Sequence, residues 1–209
     1  MWHQRSRVEW LKAGDLNTSY FDSRATQRNR RNFISKLTGE DGQVVEDEQK
    51  IGEMMASYFS ELFTTAAPSD LDPILQRIER KVTLQMNQKL TREYTASEVE
   101  VALKQMKSIS APGPDGMPPI FFKHYWNTVG LDVLFATLSV LNSGIIPPNI
   151  NHTFISLIPK IKSPATAKDF RPISLCNVIY KLIFKTIANY LKKCLPKLIS
   201  DSQSAFLSN

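Results

Sequence analysis

Two cations lie at one end of a predicted β-hairpin in the last third of the sequence. A β-rich run, residues 153–158, ends at Pro159 and is followed by Lys160, and a second run begins at Phe170 with Arg171 next to it. If the two runs pair as a hairpin, Lys160 and Arg171 lie at the same end of it. A lysine ammonium and the planar fork of an arginine can together bind a triphosphate. Two solvated hairpin charges also fit this spacing, and from spacing alone that is the preferred interpretation.

The other residues that could do chemistry do not form a recognisable centre. Nucleotidyl transfer with two metal ions requires carboxylates that hold the ions about 4 Å apart. The acidic residues at 40–41 and 46–48 lie beside a turn and a helix start, where solubility and the helix dipole explain them. The three histidines and two cysteines lack the spacing of metal ligands. We therefore assign no catalytic residue and no metal ligand, and we expect Cys176 and Cys194 to be buried thiols.

A loop rich in proline and glycine interrupts the second half of the chain. Residues 110–119 contain four prolines and two glycines, which exclude a helix interior or a central strand. Its centre, Pro112-Gly113-Pro114-Asp115-Gly116, lacks the lysine and hydroxyl of a phosphate-binding P-loop. By composition alone this loop is a rigid connector.

The charge of the chain changes sign along the sequence. The net charge is +5 over residues 1–38, −7 over residues 39–80 and +8 over residues 81–209, which gives +6 in total. A dense basic surface attracts phosphate backbones, although a soluble basic face is the simpler explanation of charge alone. The candidate contacts with a nucleic-acid backbone are Arg24, Arg28, Arg30, Arg31, Lys181, Lys185 and Lys192.

Hydrophobic periodicity predicts a mainly helical chain with two hairpins. Helices are predicted at about 5–31, 48–63, 74–81, 120–129, 131–143 and 178–194, and another follows the capping box Thr95–Glu98. The two hairpins pair residues 32–37 with 43–45 and residues 153–158 with 170–175. The last helix is expected to turn Leu182, Ile183, Ile187 and Leu191 inward. Ordinary globular composition, with no long apolar stretch and no secretory signal, predicts an intracellular protein without a membrane partner.

Three ordered blocks of this sequence resemble a known family. Residues 10–21 and 30–32 are similar to the segment between the endonuclease and the polymerase of plant LINE-type, or non-LTR, retrotransposon polyproteins. Residues 111–116, with residues 121–123 and Trp126, resemble the extra N-terminal motif of the reverse transcriptases in that family. In the family this loop lies over the template and primer. The resemblance therefore implies the same role for residues 112–116.

The third block resembles the fingers hairpin of these reverse transcriptases. It comprises residues 155–160 and 169–177, and residues 203–206 resemble the stretch that leads into the palm. By this resemblance, Lys160 and Arg171 contact the triphosphate of the incoming deoxynucleotide. The catalytic aspartates of the family follow that stretch, and the sequence ends before them. We therefore expect that this chain does not polymerise alone.

The resemblance also implies an architecture and a set of partners. The expected fold class is α+β, mostly helical with a fingers-type β-hairpin and ending before the palm of a reverse transcriptase. Residues 1–65 would be the connector, residues 66–90 a linker, and residues 91–209 the N-terminal, fingers part of the polymerase. The complete parent would use Mg²⁺, an RNA template, a DNA primer and deoxynucleotides, and would act in the nucleus. A non-catalytic basic RNA-binding module is the alternative function.

At three positions the sequence departs from the family pattern. Asp22 stands where histidine is common, and Leu16 and Tyr190 stand where arginine is usual. These departures fit a decayed or truncated genomic copy, and a gene-model fragment is equally compatible.

Overall fold

A computed structural model of the chain describes residues 18–65, 71–77 and 79–199, without the side chains of residues 18–22, 24 and 31. The predictions for residues 5–17 and 203–206, and those for the side chains of Arg24 and Arg31, lie outside this part. The described residues form helices and two small two-stranded sheets. The predicted α+β class is therefore confirmed.

The elements of the described residues follow one another in this order. The helices are α1 (Thr18–Asn32), α2 (Glu48–Phe63), α3 (Asp72–Leu75), α4 (Leu84–Leu90), α5 (Ala96–Gln105), α6 (Pro119–His124), α7 (Trp126–Ser143), α8 (Val178–Lys192) and α9 (Leu195–Leu198). The strands are β1 (Leu37–Thr38), β2 (Val44–Val45), β3 (Thr153–Pro159) and β4 (Phe170–Cys176), and a 3-10 helix (Ala167–Asp169) precedes β4.

The chain divides into two compact units, and each unit joins two distant stretches of sequence. The first unit contains the described residues up to 65 together with residues 155–174. The second unit contains the described residues from 71 to 154 together with residues 175–199. The first unit thus includes most of β3 and β4, while their outer ends belong to the second.

The core of the first unit is organised by α2. The helix begins at Asp47, whose carboxylate accepts a hydrogen bond from the backbone N–H of Lys50 at 2.9 Å, a normal N-terminal cap. Its apolar residues recur at helical spacing, so one face is buried while the acidic residues face solvent. The buried cluster consists of Leu37, Ile51, Met55, Phe59 and Phe170. The predicted bounds of this helix, 48–63, are confirmed.

The first predicted hairpin is present, but its strands are shorter than expected. Gly42 adopts a φ of 79°, the left-handed conformation that this turn requires. The backbone N–H of Gly39 donates to the carbonyl of Gln43 at 2.9 Å and closes the turn. Pairing is limited to Leu37 with Val45 and Thr38 with Val44, so most of the predicted run 32–37 is not a strand.

The core of the second unit forms where α5 meets α7 and α8. The predicted capping interaction is confirmed, because the Glu98 carboxylate accepts a hydrogen bond from the backbone N–H of Thr95 at 3.0 Å. The helix that follows turns its apolar stripe inward against the other two helices. The buried cluster consists of Val99, Ala102, Leu103, Phe122, Val133, Val178 and Leu182.

The division between α6 and α7 differs from the prediction. The break lies at Tyr125, and α7 runs through Gly130, which the sequence pattern had indicated as a boundary. Gly130 is buried, and a Cβ there would lie 3.0 Å from the indole ring of Trp126. The glycine therefore serves close packing inside the helix. Gly144, with a φ of 71°, ends α7 in the left-handed conformation.

Two other predicted elements have different bounds. The short helix expected at 74–81 is α3, which ends at Leu75, and the sequence pattern missed α4. A cap starts α4, because the Thr83 hydroxyl accepts a hydrogen bond from the Met86 backbone N–H at 3.2 Å. At the other end of the chain α8 ends at Lys192, and Leu191 is 42% exposed although it was expected to face inward. A membrane crossing would need a longer run of apolar helix than any that the described residues provide.

Candidate functional site

The β3–β4 hairpin places its two predicted cations on one face. The backbone N–H of Lys160 donates to the carbonyl of Asp169 at 2.7 Å, so these two residues lie opposite each other. Phe170 is 2% exposed in the core of the first unit, and the next residue, Arg171, is exposed. Since side chains alternate along a strand, Arg171 lies on the solvent face. Lys160 and Arg171 are then diagonal neighbours, positions that are about 7–8 Å apart in an antiparallel pair.

The Lys160 ammonium is oriented by the tip of the hairpin, which comprises residues 160–169. Its Nζ donates a hydrogen bond to the backbone carbonyl of Lys168 at 2.5 Å. An ammonium has three hydrogens, so this contact fixes the side chain and leaves others for a ligand. The Asp169 carboxylate is close to this ammonium and offsets part of its charge. The hairpin therefore presents one oriented ammonium and one exposed guanidinium.

The tip itself is held by Asp169. Its Oδ2 accepts hydrogen bonds from the backbone N–H groups of Ala165 at 3.0 Å and Thr166 at 2.9 Å. The Thr166 and Ala165 N–H groups hold the pKa of the Asp169 carboxyl below its usual value, and the Thr166 hydroxyl and Lys160 add to this effect. The carboxylate is ionised at neutral pH. The long, basic tip thus has a defined conformation near the two cations.

The proline-glycine loop is fastened to the start of α8. The Oδ1 of Asn177 accepts a hydrogen bond from the backbone N–H of Asp115 at 3.2 Å, and Oδ1 of Asp115 accepts one from the N–H of Met117 at 3.0 Å. Gly116 has a φ of 72°, and its N–H donates to the carbonyl of Gly113 at 3.1 Å. The loop is therefore a shaped turn whose conformation depends on particular hydrogen bonds.

The residues that are predicted to contact a nucleic-acid backbone differ in their exposure to solvent. Arg28 and Arg30 are exposed on α1, and Lys192 is exposed at the end of α8. Lys185 is half-buried. Lys181 is half-buried too, and its Nζ donates a hydrogen bond to the carbonyl of Ala111 at 2.8 Å. Burial lowers the pKa of Lys181, and the neighbouring Cys176 and Asp115 oppose that change. The contact of all these residues with nucleic acid stays a prediction.

A cavity of about 800 Å³ lies in the first unit beside Arg28. Its wall is polar on the α1 side and its opposite side is formed by β3. The polar side is formed by Arg28, Asn29 and Asn32, and the apolar strand residues are Ile155 and Leu157. Cationic and amide groups above an apolar strand face suit an unstacked nucleotide, because the phosphate and the base need different surroundings.

A network around Glu98 was not predicted from the sequence. The Tyr190 hydroxyl donates to Glu98 at 2.7 Å, and Arg92 forms an ion pair with the same carboxylate. The Arg92 guanidinium also lies 4.8 Å from the centre of the Tyr190 ring. Burial and the bond to Glu98 raise the pKa of Tyr190 to about 12. The capping motif identified Glu98, but no local pattern connects it to Tyr190.

No metal centre is assigned to the part of the chain that the structure describes. Within residues 18–65, 71–77 and 79–199, no three histidine, cysteine, aspartate or glutamate side chains come together as a metal ion would require. Among these residues, a magnesium ion would therefore lack a ready-made set of three protein ligands.

Comparison with known proteins relates the chain to mobile elements. No protein-family model matches the sequence. Over 202 residues, 96% of the chain, it is 28% identical to the Transposon TX1 uncharacterized 149 kDa protein of Xenopus laevis. Over 158 residues, 75% of the chain, it is 27% identical to the Retrovirus-related Pol polyprotein from type-2 retrotransposable element R2DM of Drosophila melanogaster.

The chain corresponds to a small part of each of these relatives. It spans 15% of the Xenopus protein and 14% of the Drosophila protein. The similarity covers both units of the fold in the first case, and it supports the assignment of the chain to retrotransposon-related proteins.

Proposed function

We propose that the chain is the fingers-containing part of the RNA-directed DNA polymerase of a non-LTR retrotransposon of the LINE type found in plants. The observation that carries the proposal is the β3–β4 hairpin, with Lys160 and Arg171 on the face opposite the buried Phe170. The similarity to a Pol polyprotein supports it. The plant assignment rests only on the resemblance of the N-terminal blocks, residues 10–21 and 30–32.

The proposed task of the hairpin is to bind the triphosphate of an incoming deoxynucleotide. Arg171 offers a planar pair of donors that matches two phosphate oxygens, and Lys160 offers a compact charge that the Lys168 carbonyl orients. Because the tip is fixed by Asp169, little conformational freedom is lost when the anion binds. Asp169 also offsets part of the local positive charge.

The proposed task of the other cations is to hold the RNA template and the DNA primer. Arg28, Arg30 and Lys192 are exposed and can reach phosphates by releasing counterions. Arg28 also lines the cavity beside β3, where a nucleotide of the template would fit. The loop of residues 112–116 would lie over the template and primer, as the family resemblance implies. The roles are thus divided: the hairpin cations bind the nucleotide, and the helix cations bind the nucleic-acid backbone.

A hairpin graft tests the nucleotide role. Residues 153–176 would replace the matching segment in an active full-length relative, and the graft must retain activity. Lys160→Ala and Arg171→Ala should each raise the KM for deoxynucleotides about tenfold or more, because each removes charge-assisted hydrogen bonds. Lys162→Ala, which removes an exposed lysine of the tip, is the matched control. A KM unchanged by both substitutions, or raised equally by the control, would reject the assignment.

A second candidate function is a non-catalytic RNA-binding module. The exposed arginines of α1 beside a polar cavity favour it, because they suffice for binding without any nucleotide site. In that case the hairpin substitutions would weaken RNA binding as much as the helix substitutions do. They would also leave the deoxynucleotide KM of the graft unchanged.

A further inference from the structure

Lys181 and Asn177 both contact the proline-glycine loop from the first turn of α8. The Lys181 ammonium donates to the Ala111 carbonyl at 2.8 Å, near the start of the loop, and Asn177 accepts from the Asp115 N–H at 3.2 Å, at its centre. Asn177 is the N-cap residue of α8, yet its side chain makes no capping bond to that helix. The side-chain amide of Asn177 therefore binds the loop and does not cap the helix.

The loop approaches the start of α8 so closely that no side chain fits at Gly113. Gly113 is buried, and a Cβ there would lie 2.3 Å from the backbone nitrogen of Asn177 and 2.5 Å from the carbonyl carbon of Cys176. Both neighbouring atoms belong to the main chain, so they cannot rotate away as a flexible side chain could. Contact at Gly113, with one polar contact on each side of it, fixes the loop at three points.

We propose that Lys181 and Asn177 are positioning residues that hold the loop of residues 112–116 in one conformation, and that the charge of Lys181 serves this contact and not a phosphate. The inference deepens the proposed function, because it rests on that loop lying over nucleic acid. It also separates Lys181 from Lys185, which lies one helical turn further along the same side of α8. Sequence spacing alone groups the two lysines together.

Amide hydrogen exchange of the chain without RNA tests the positioning role directly. The N–H groups of Asp115, Gly116 and Met117 donate within the loop or to Asn177, so they should be protected in the unsubstituted chain. Lys181→Met and Asn177→Ala should each accelerate their exchange about tenfold, whereas Lys185→Met should not. Lys181→Arg, which keeps a cationic donor, should restore most of the protection. Unchanged exchange in both loss variants, or equal acceleration by Lys185→Met, would overturn the proposal.

Binding to a single-stranded RNA oligonucleotide at several salt concentrations tests the role of the charge. Lys181→Met should weaken binding about two- to tenfold at every salt concentration, because a loosened loop must be ordered on binding. The dependence of log K on log salt should stay the same, whereas Lys185→Met should flatten it by about 0.7. A slope flattened by Lys181→Met would overturn the proposal. If the unsubstituted chain binds no RNA, the proposed function fails, and hydrogen exchange still decides whether the loop is held by these residues.

Discussion

The hydroxyl of Tyr190 donates a hydrogen bond to the carboxylate of Glu98 at 2.7 Å, although 92 residues separate the two in sequence. Glu98 lies in the first turn of α5 and Tyr190 lies near the end of α8, so the bond joins two of the helices that share the core of the second unit. Tyr190 is 6% exposed, and its ring packs against Tyr94 with a centroid distance of 4.4 Å. Tyr190 is thus well accommodated in the structure.

Loss of this hydrogen bond should destabilise the second unit. Tyr190→Phe keeps the ring and removes the donor, and a hydrogen bond to a charged group contributes about 1.5–3 kcal/mol. Tyr180→Phe, in the same helix, is the control because no hydrogen bond of the Tyr180 hydroxyl appears among the described residues. Urea denaturation should show a clearly lower unfolding free energy for Tyr190→Phe alone. Equal unfolding free energies for the two variants would contradict this role.

The stability of the second unit should fall in acid because of Glu98. Burial alone would raise the pKa of this carboxyl, but hydrogen bonds from Tyr190, Thr95 and Arg92 outweigh burial and lower it below its ordinary value of 4.5. A lowered folded-state pKa gives stability that is present above pH 4.5 and is lost as the pH falls through the folded-state value. Denaturation between pH 6.5 and 3 should therefore show a steeper loss for the unsubstituted chain than for Glu98→Gln. Parallel curves would exclude Glu98 as the cause.

An apolar strip on α7 should promote self-association. Leu131 is 83% exposed and Phe135 is 78% exposed, and they are four residues apart on one side of the helix. The double variant Leu131→Gln, Phe135→Gln should sediment more nearly as a monomer, with little change in melting temperature. Val133→Gln, in the same helix but 5% exposed, should instead destabilise the fold. A monodisperse, monomeric unsubstituted chain at high concentration would count against the prediction.

Two glycines should respond to alanine in opposite directions. Gly113→Ala would force a methyl group against main-chain atoms of Asn177 and Cys176, which should cost about 3 kcal/mol. At Gly52 nothing lies within 4 Å of an added Cβ, and the residue is inside α2. Gly52→Ala should therefore stabilise the chain by about 0.5–1 kcal/mol, because alanine favours a helix. Chemical denaturation of both variants checks the signs, and a stabilising Gly113→Ala would show that the loop is not closely packed.

Helices that carry a clear local signal, such as a capping motif or regular apolar spacing, were predicted from the sequence. The bounds of α2 followed from the spacing of its apolar residues, and α5 followed from Thr95 and Glu98. Gly130 misled the prediction because a glycine can either end a helix or make room inside one, and only the position of Trp126 distinguishes the two. The helix α4 was missed because a single threonine cap before seven residues is a weak signal.

The candidate sites, like the helices, could be predicted from the sequence only in part. Sequence alone predicted a hairpin with Lys160 and Arg171 at one end, and the described structure contains that hairpin. Spacing could not distinguish Lys181 from Lys185, because the partner of Lys181 is a backbone carbonyl 70 residues away. The link between Glu98 and Tyr190 had no local signal for the same reason. Such contacts join residues that are far apart in sequence, so only the folded structure shows them.

RNA titration by fluorescence anisotropy at several salt concentrations tests the central division of roles most directly. If about five phosphates are neutralised, log K should fall with log salt with a slope of roughly −3.5 to −4.5. Two double variants remove the same charge: Lys185→Ala with Lys192→Ala, and Lys160→Ala with Arg171→Ala. We predict that the first double flattens the slope by about 1.4–1.8 and that the second leaves it unchanged. A flat slope for the unsubstituted chain, or equal losses from the two doubles, would contradict the account.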